Sequence, residues 1–137
     1  MKDSILIKKA EELLDKCSVV TVASVNRDGF PRPVPMAKGD TQGCGTVWVA
    51  TAADSMKVAD FMLNPKAGLC YEKDGSSVCL RGTVEIIRDE AVRREKWQDW
   101  YINHFPGGPA DSNYVLLKFT ACEATIWIDR VFSHTVL

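Results

Sequence analysis

The chain has no long hydrophobic run, no excess of either charge and only two histidines, and each shortage removes a class of protein. Its N-terminal segment alternates apolar with charged residues (Ile7, Lys8, Lys9, Ala10, Glu11, Glu12), so neither a signal-like core nor a membrane-length run occurs there. A cytoplasmic protein with no membrane partner is expected. Seventeen basic residues against eighteen acidic ones give a formal net charge of −1, which provides no general field to hold a polyanion. Nucleic acid is therefore disfavoured as a partner. The five cysteines (Cys17, Cys44, Cys70, Cys79, Cys122) are odd in number, widely spaced and lack C-x-x-C, with only His104 and His134 to join them. This argues against a disulfide framework and against a metal site. What remains is 137 residues, 46% hydrophobic and 26% charged, with scattered glycine and proline. That size fits a single domain over residues 1–137.

Along the chain, Asp3 or Ser4 can cap a first helix at about residues 4–17, with Leu6, Ala10, Leu13, Leu14 and Cys17 at helical spacing. Ser18 to Val25 is rich in valine, and Asn26-Arg27-Asp28-Gly29 is a turn leading into an extended run from Phe30 to Lys38. Pro31, Pro33 and Pro35 remove every second amide donor from that run, which places it at a sheet edge or opening. Gly39 to Gly45 reads as a loop without the G-x-G-x-x-G spacing of a dinucleotide fold. Thr46 to Thr51 is a third strand, and Ser55 to Leu63 a helix with Val58, Ala59, Met62 and Leu63 on one face, ended by Asn64-Pro65.

Ala67 to Tyr71 and Val78 to Arg88 form a hairpin around Asp74-Gly75, which sets Cys70 opposite Cys79, as neighbouring thiols or as a disulfide. Asp89-Glu90 opens a third helix, followed by Trp97, Trp100, Tyr101 and His104 on one stripe, where His104 reads as packing rather than as an acid or base. Tyr114 to Thr120 and Ala124 to Ile128 are two final strands. The expected fold is mainly β with peripheral helices, a six-stranded antiparallel barrel, closed or partly open.

Thr51-Ala52-Ala53-Asp54-Ser55-Met56-Lys57 joins a strand to a helix and admits two readings. Asp54 or Ser55 can simply cap the helix. Alternatively, the unpaired amides of the first turn, the Ser55 hydroxyl and the Lys57 ammonium make an anion site.

The order Gly29-Phe30-Pro31-Arg32-Pro33-Val34-Pro35-Met36, Val47-Trp48-Val49-Ala50-Thr51, Ser55-x-Lys57, Asn64-Pro65 and Arg81-Gly82-Thr83-Val84 resembles the pyridoxamine-phosphate-oxidase-like FMN-binding split barrels, and within them the general-stress-protein branch. The likeness runs from about Val19 to Asp129 and includes Phe105-Pro106-Gly107-Gly108 and Trp127-Ile128-Asp129. It implies a six-stranded split β-barrel and a homodimer with FMN at the subunit interface. Arg32, Ser55 and Lys57 match phosphate contacts. Val34, Pro35 and Met36 match the segment lining the flavin ring, with Thr51 closing from the next strand. Ser77 matches a flavin-contacting position, and Trp127 either stacks near the flavin or fills the barrel.

True oxidases of this family carry a C-terminal arm with an R-x-H pattern that grips the substrate phosphate. Val131 to Leu137 shows none, so vitamin-processing activity is not expected. The expected function is FMN binding, as a flavin-dependent oxidoreductase of unknown small-molecule partner. The alternatives are a non-catalytic flavin carrier or sensor in the stress response, or a split barrel holding a deazaflavin or haem.

Overall fold

Eight strands and three α-helices are seen in the computed structural model, which describes residues 2–137. β1 (Val19–Val25) and β2 (Pro31–Ala37) form the expected hairpin, with Val25 opposite Pro31 and Val19 opposite Ala37. Its turn closes because Asn26 Oδ1 accepts from the amides of Asp28 and Phe30 at 3.0 and 2.9 Å, while Gly29 takes a φ of +84°.

β3 (Thr41–Gln42), β4 (Thr46–Ala52), β5 (Lys66–Lys73), β6 (Ser76–Ile87), β7 (Tyr114–Ile128) and β8 (Val131–Val136) complete one antiparallel sheet. Its order is β2-β1-β5-β6-β7-β4-β3, with β8 beside β7. β2 is thus an edge strand, as its three prolines require. The sheet curls until β2 and β4 line one cavity without pairing, which leaves the barrel split between them.

The expected six strands become eight. β3 lies inside the segment read as a loop, and β8 in the residues assigned no element. The two final strands are a single one: β7 pairs β4 through Tyr114–Thr120 and β8 through Glu123–Ile128. Ala121-Cys122-Glu123 looked like an interruption because the apolar run stops there. In the fold the strand continues, with a register shift opposite Arg81 and Gly82. Gly82 is required at that bend, since a Cβ would strike the Thr120 carbonyl.

Helix α1 (Lys2–Lys16) covers the sheet with Leu6, Ala10, Leu13 and Leu14, all buried. It starts before Asp3 and Ser4, so neither is its cap. Asp3 instead accepts from the Ser133 hydroxyl of β8 at 3.0 Å. At the other end the Lys38 ammonium donates to the Leu14 carbonyl at 2.6 Å, satisfying one of the acceptors a helix end leaves open.

Helix α2 (Met56–Leu63) buries a different face from the expected one. Val58, Asp60 and Phe61 point inward, whereas Ala59, Met62 and Leu63 are exposed. Phe61 brings a whole ring into the core, and Asp60 enters because it has partners there: the Ser24 hydroxyl donates to its Oδ2 at 2.7 Å and Arg32 Nε donates at 3.0 Å. A buried carboxylate is tolerated when so paired.

Helix α3 (Glu90–Glu95) is short and carries none of the aromatic stripe; Trp100 and Tyr101 sit instead on a separate 3₁₀ turn, Asp99–Asn103, with Trp97 before it and His104 at its end. A second 3₁₀ turn follows at Gly108–Ala110. Trp48, Tyr101, Phe105, Tyr114 and Leu116 form a small core apart from the main one.

Candidate functional site

The split between β2 and β4 opens into a cavity of about 460 Å³, within the usual range for small-molecule sites. Val34, Pro35 and Met36 line it from β2, Thr51 from β4 and Lys57 from α2. Five of the nine residues singled out from the sequence therefore meet in one place. The proline-bearing strand contributes because its second edge is unpaired.

Ser55 stands at the helix start, its hydroxyl between a backbone amide and a second hydroxyl. Its Oγ accepts from the Val58 amide at 3.4 Å as the N-cap and from Thr51 Oγ1 at 3.4 Å. The cap reading of this residue is thus borne out. The cap is long, however, and the amides of Met56 and Lys57 belong to the first turn, where intrahelical acceptors are missing. The Lys57 ammonium makes no hydrogen bond or ion pair with any described residue, and burial pushes it below the ordinary lysine value. A half-buried, unpartnered cation at the edge of a cavity is a costly arrangement that an anion would relieve.

Arg32 sits differently. Its Nε is spent on Asp60, and its Nη1 lies 3.7 Å from Met56 Sδ, so the guanidinium lies beside the first turn of α2 rather than on the cavity wall. Ser77 and Trp127 lie on the sheet away from this cavity. They are register partners across β6 and β7, and Trp127, 43% exposed on the outer face, does not fill the barrel, one of the two roles expected for it. Within one chain they do not meet the other seven.

The far wall was not read from the sequence as part of a site. Trp100, Tyr101, His104, Phe105 and Asn113 close the cavity opposite β2. The stripe divides by function: Trp97 and Tyr101 go inward, with ring centroids 5.5 Å apart at 88°, while Trp100 and His104 stay at the mouth with theirs 6.4 Å apart. Burial pushes the Tyr101 phenol up to about 12, so it remains protonated. Its hydroxyl approaches Gly39 so closely that a Cβ there would lie 2.7 Å from it and 2.5 Å from the Trp48 carbonyl.

Arg93 holds the segment after this wall. Its Nη1 donates to the carbonyls of Pro109, Asp111 and Tyr114 at 3.2 Å each, and the Tyr114 hydroxyl returns a bond to the Arg93 carbonyl at 2.9 Å. Among the described residues no group of three His, Cys, Asp or Glu side chains could hold a metal ion. No helix among them is long and apolar enough to cross a membrane.

Residues 6–135 match the family described as pyridoxamine 5'-phosphate oxidase like, and the chain belongs to it. A Clostridium acetobutylicum protein related to general stress protein 26, of the pyridoxine-phosphate oxidase family, superimposes with a TM-score of 0.87 at 25% identity, covering all of this chain and 97% of that one. General stress protein 26 of Bacillus anthracis gives a TM-score of 0.77 at 21% identity over 98% of this chain and all of that one. The general stress FMN/FAD binding protein of Xanthomonas citri gives 0.77 at 22% identity, over 98% and 94%. No curated protein matches the sequence.

Proposed function

We propose that this protein binds FMN, with the phosphate at the start of α2 and the ring in the cavity between β2 and the Trp100–His104 wall. The half-buried Lys57 ammonium, without a protein partner and facing the cavity, is the observation that carries this reading. Ser55 supplies a hydroxyl and the first turn its amides, while Arg32, fixed by Asp60, lends its charge from the side. Val34, Pro35 and Met36 offer a flat, largely apolar wall with few donors. The description of the Xanthomonas citri relative as an FMN/FAD binding protein supports a flavin here.

The protein acts in this reading as a homodimer. Ser77 and Trp127, remote from the cavity of their own chain, then reach the cofactor of the partner from the outer sheet face. FMN supplies hydride and single-electron transfer when bound. The chain's part is to grip the phosphate, orient the ring against β2 and keep water from one face. Thr51, buried and donating to Ser55, holds that hydroxyl in place.

The absorbance spectrum of the protein purified without added cofactor tests the reading, followed by dilution. Flavin bands that are lost as the dimer separates are expected. A haem or deazaflavin spectrum would reassign the cavity, and flavin retained by monomers would overturn the shared site. Bleaching of the bound flavin by NADH or NADPH marks an oxidoreductase, and indifference to both marks a carrier.

A further inference from the structure

The hairpin of β5 and β6 carries a feature that flavin binding does not use. Its two-residue turn, Asp74 (φ +53°) and Gly75 (φ +82°), has both central residues in the left-handed region, the geometry that fixes register in tight hairpins. The closing pair is Lys73 and Ser76, so Cys70 and Cys79 are directly opposite three pairs further on. Hydrogen-bonded and non-hydrogen-bonded pairs alternate from the turn, which makes this a non-hydrogen-bonded pair, the type whose side chains approach most closely. The two sulfurs are 3.5 Å apart, both as free thiols.

Backbone spacing at such a pair, about 4.5 Å between Cα atoms, lies within the range a disulfide spans. Closing the bond therefore asks for side-chain rotation and no shift of the sheet. The other three cysteines lack this arrangement. Cys17 and Cys44 are buried, Cys17 donating to the Glu72 carbonyl, and Cys122 is exposed and donates to the Arg81 carbonyl.

We propose that Cys70 and Cys79 are a site of oxidation by hydroperoxides, which convert the pair to an intramolecular cross-strand disulfide. Within one chain Cys79 is the exposed sulfur, on the same outer face of β6 as Ser77, and is the one that meets the oxidant, while Cys70 is the partly buried resolving sulfur. Burial and the adjacent thiol push Cys70 up to about 12, so it holds its proton while Cys79 reacts. Cys79 gives its proton to water and the thiolate attacks one peroxide oxygen; an S–O bond forms, the O–O bond breaks, and the departing hydroxide or alkoxide takes up the proton that Cys79 released. The Cys70 sulfur then attacks the sulfenic sulfur; the S–S bond forms, the S–O bond breaks, and the hydroxyl leaves as water with the Cys70 proton. With hydrogen peroxide the thiols lose two electrons and the peroxide becomes two waters.

The test uses the purified protein with its cofactor and assembly intact. It is treated with one equivalent of hydrogen peroxide, alkylated and digested with trypsin, which cuts after Lys73, between the two cysteines. Expected are the loss of two of the five titratable thiols and a dithiothreitol-sensitive link between the peptide ending at Lys73 and the one ending at Arg81. In Cys70→Ser, Cys79 should instead be trapped as a dimedone-labelled sulfenic acid. The proposal is overturned if all five thiols survive, if Cys122 reacts first, or if the link joins two chains. Oxidation by glutathione disulfide but not by peroxide would also overturn it, assigning the pair to thiol exchange.

Discussion

Arg32 and Asp60 are joined at 3.0 Å, Nε to Oδ2, which ties the edge strand that lines the cavity to the helix whose first turn faces it. Ser24 from the neighbouring strand donates to the same oxygen at 2.7 Å. Asp60→Ala leaves a hydroxyl that is 1% exposed without its acceptor and removes the anchor of Arg32. Urea unfolding should show a loss of about 2–3 kcal/mol. Arg32→Ala should cost less, about 1 kcal/mol, because that side chain is one-third exposed and water can replace part of the pair. An unchanged midpoint in Asp60→Ala would show that the pair does not contribute to stability.

Arg93 serves the opposite wall. Its substitution by alanine withdraws a donor shared by three carbonyls. A destabilisation of about 2–3 kcal/mol is expected, with faster amide exchange concentrated in residues 105–114. Uniformly faster exchange across the sheet would mean that Arg93 is not a local brace.

Lys57 should cost stability when no anion is present. Burial holds its folded-state value below the ordinary one, so the charged form is disfavoured in the fold. That cost is complete below the folded value and vanishes above the unfolded value of about 10.4. Lys57→Met should therefore raise the Tm of flavin-free protein at neutral pH, and the gain should shrink as pH rises towards 10.4. A lower Tm at neutral pH would show that Lys57 has a partner in the fold after all.

The edge position of β2 was legible because prolines at 31, 33 and 35 forbid a ladder on that side, a constraint local to the chain. The β5–β6 register was legible for a similar reason, since Asp74-Gly75 fixes it within two residues. The buried face of α2 was not. Asp60 enters the core only because Ser24 and Arg32, remote in sequence, are waiting there. Trp100 and His104 were visible as members of a stripe, but spacing alone does not say which aromatic rings face a core and which a cavity; that depends on the loop braced by Arg93. The continuity of β7 was hidden because its bend at Cys122 depends on Gly82 across the ladder.

In the proposed function, Lys57 and the first turn of α2 hold the phosphate of a flavin. The decisive experiment is titration of wild type and Lys57→Ala with FMN and with riboflavin, which has the same ring and no phosphate. Wild type should prefer FMN, and Lys57→Ala should lose roughly ten- to a hundredfold in FMN affinity, about 1.5–3 kcal/mol, with riboflavin binding little changed. Equal affinity of the wild type for both ligands, or an FMN affinity untouched by the substitution, would show that the first turn of α2 is not a phosphate site.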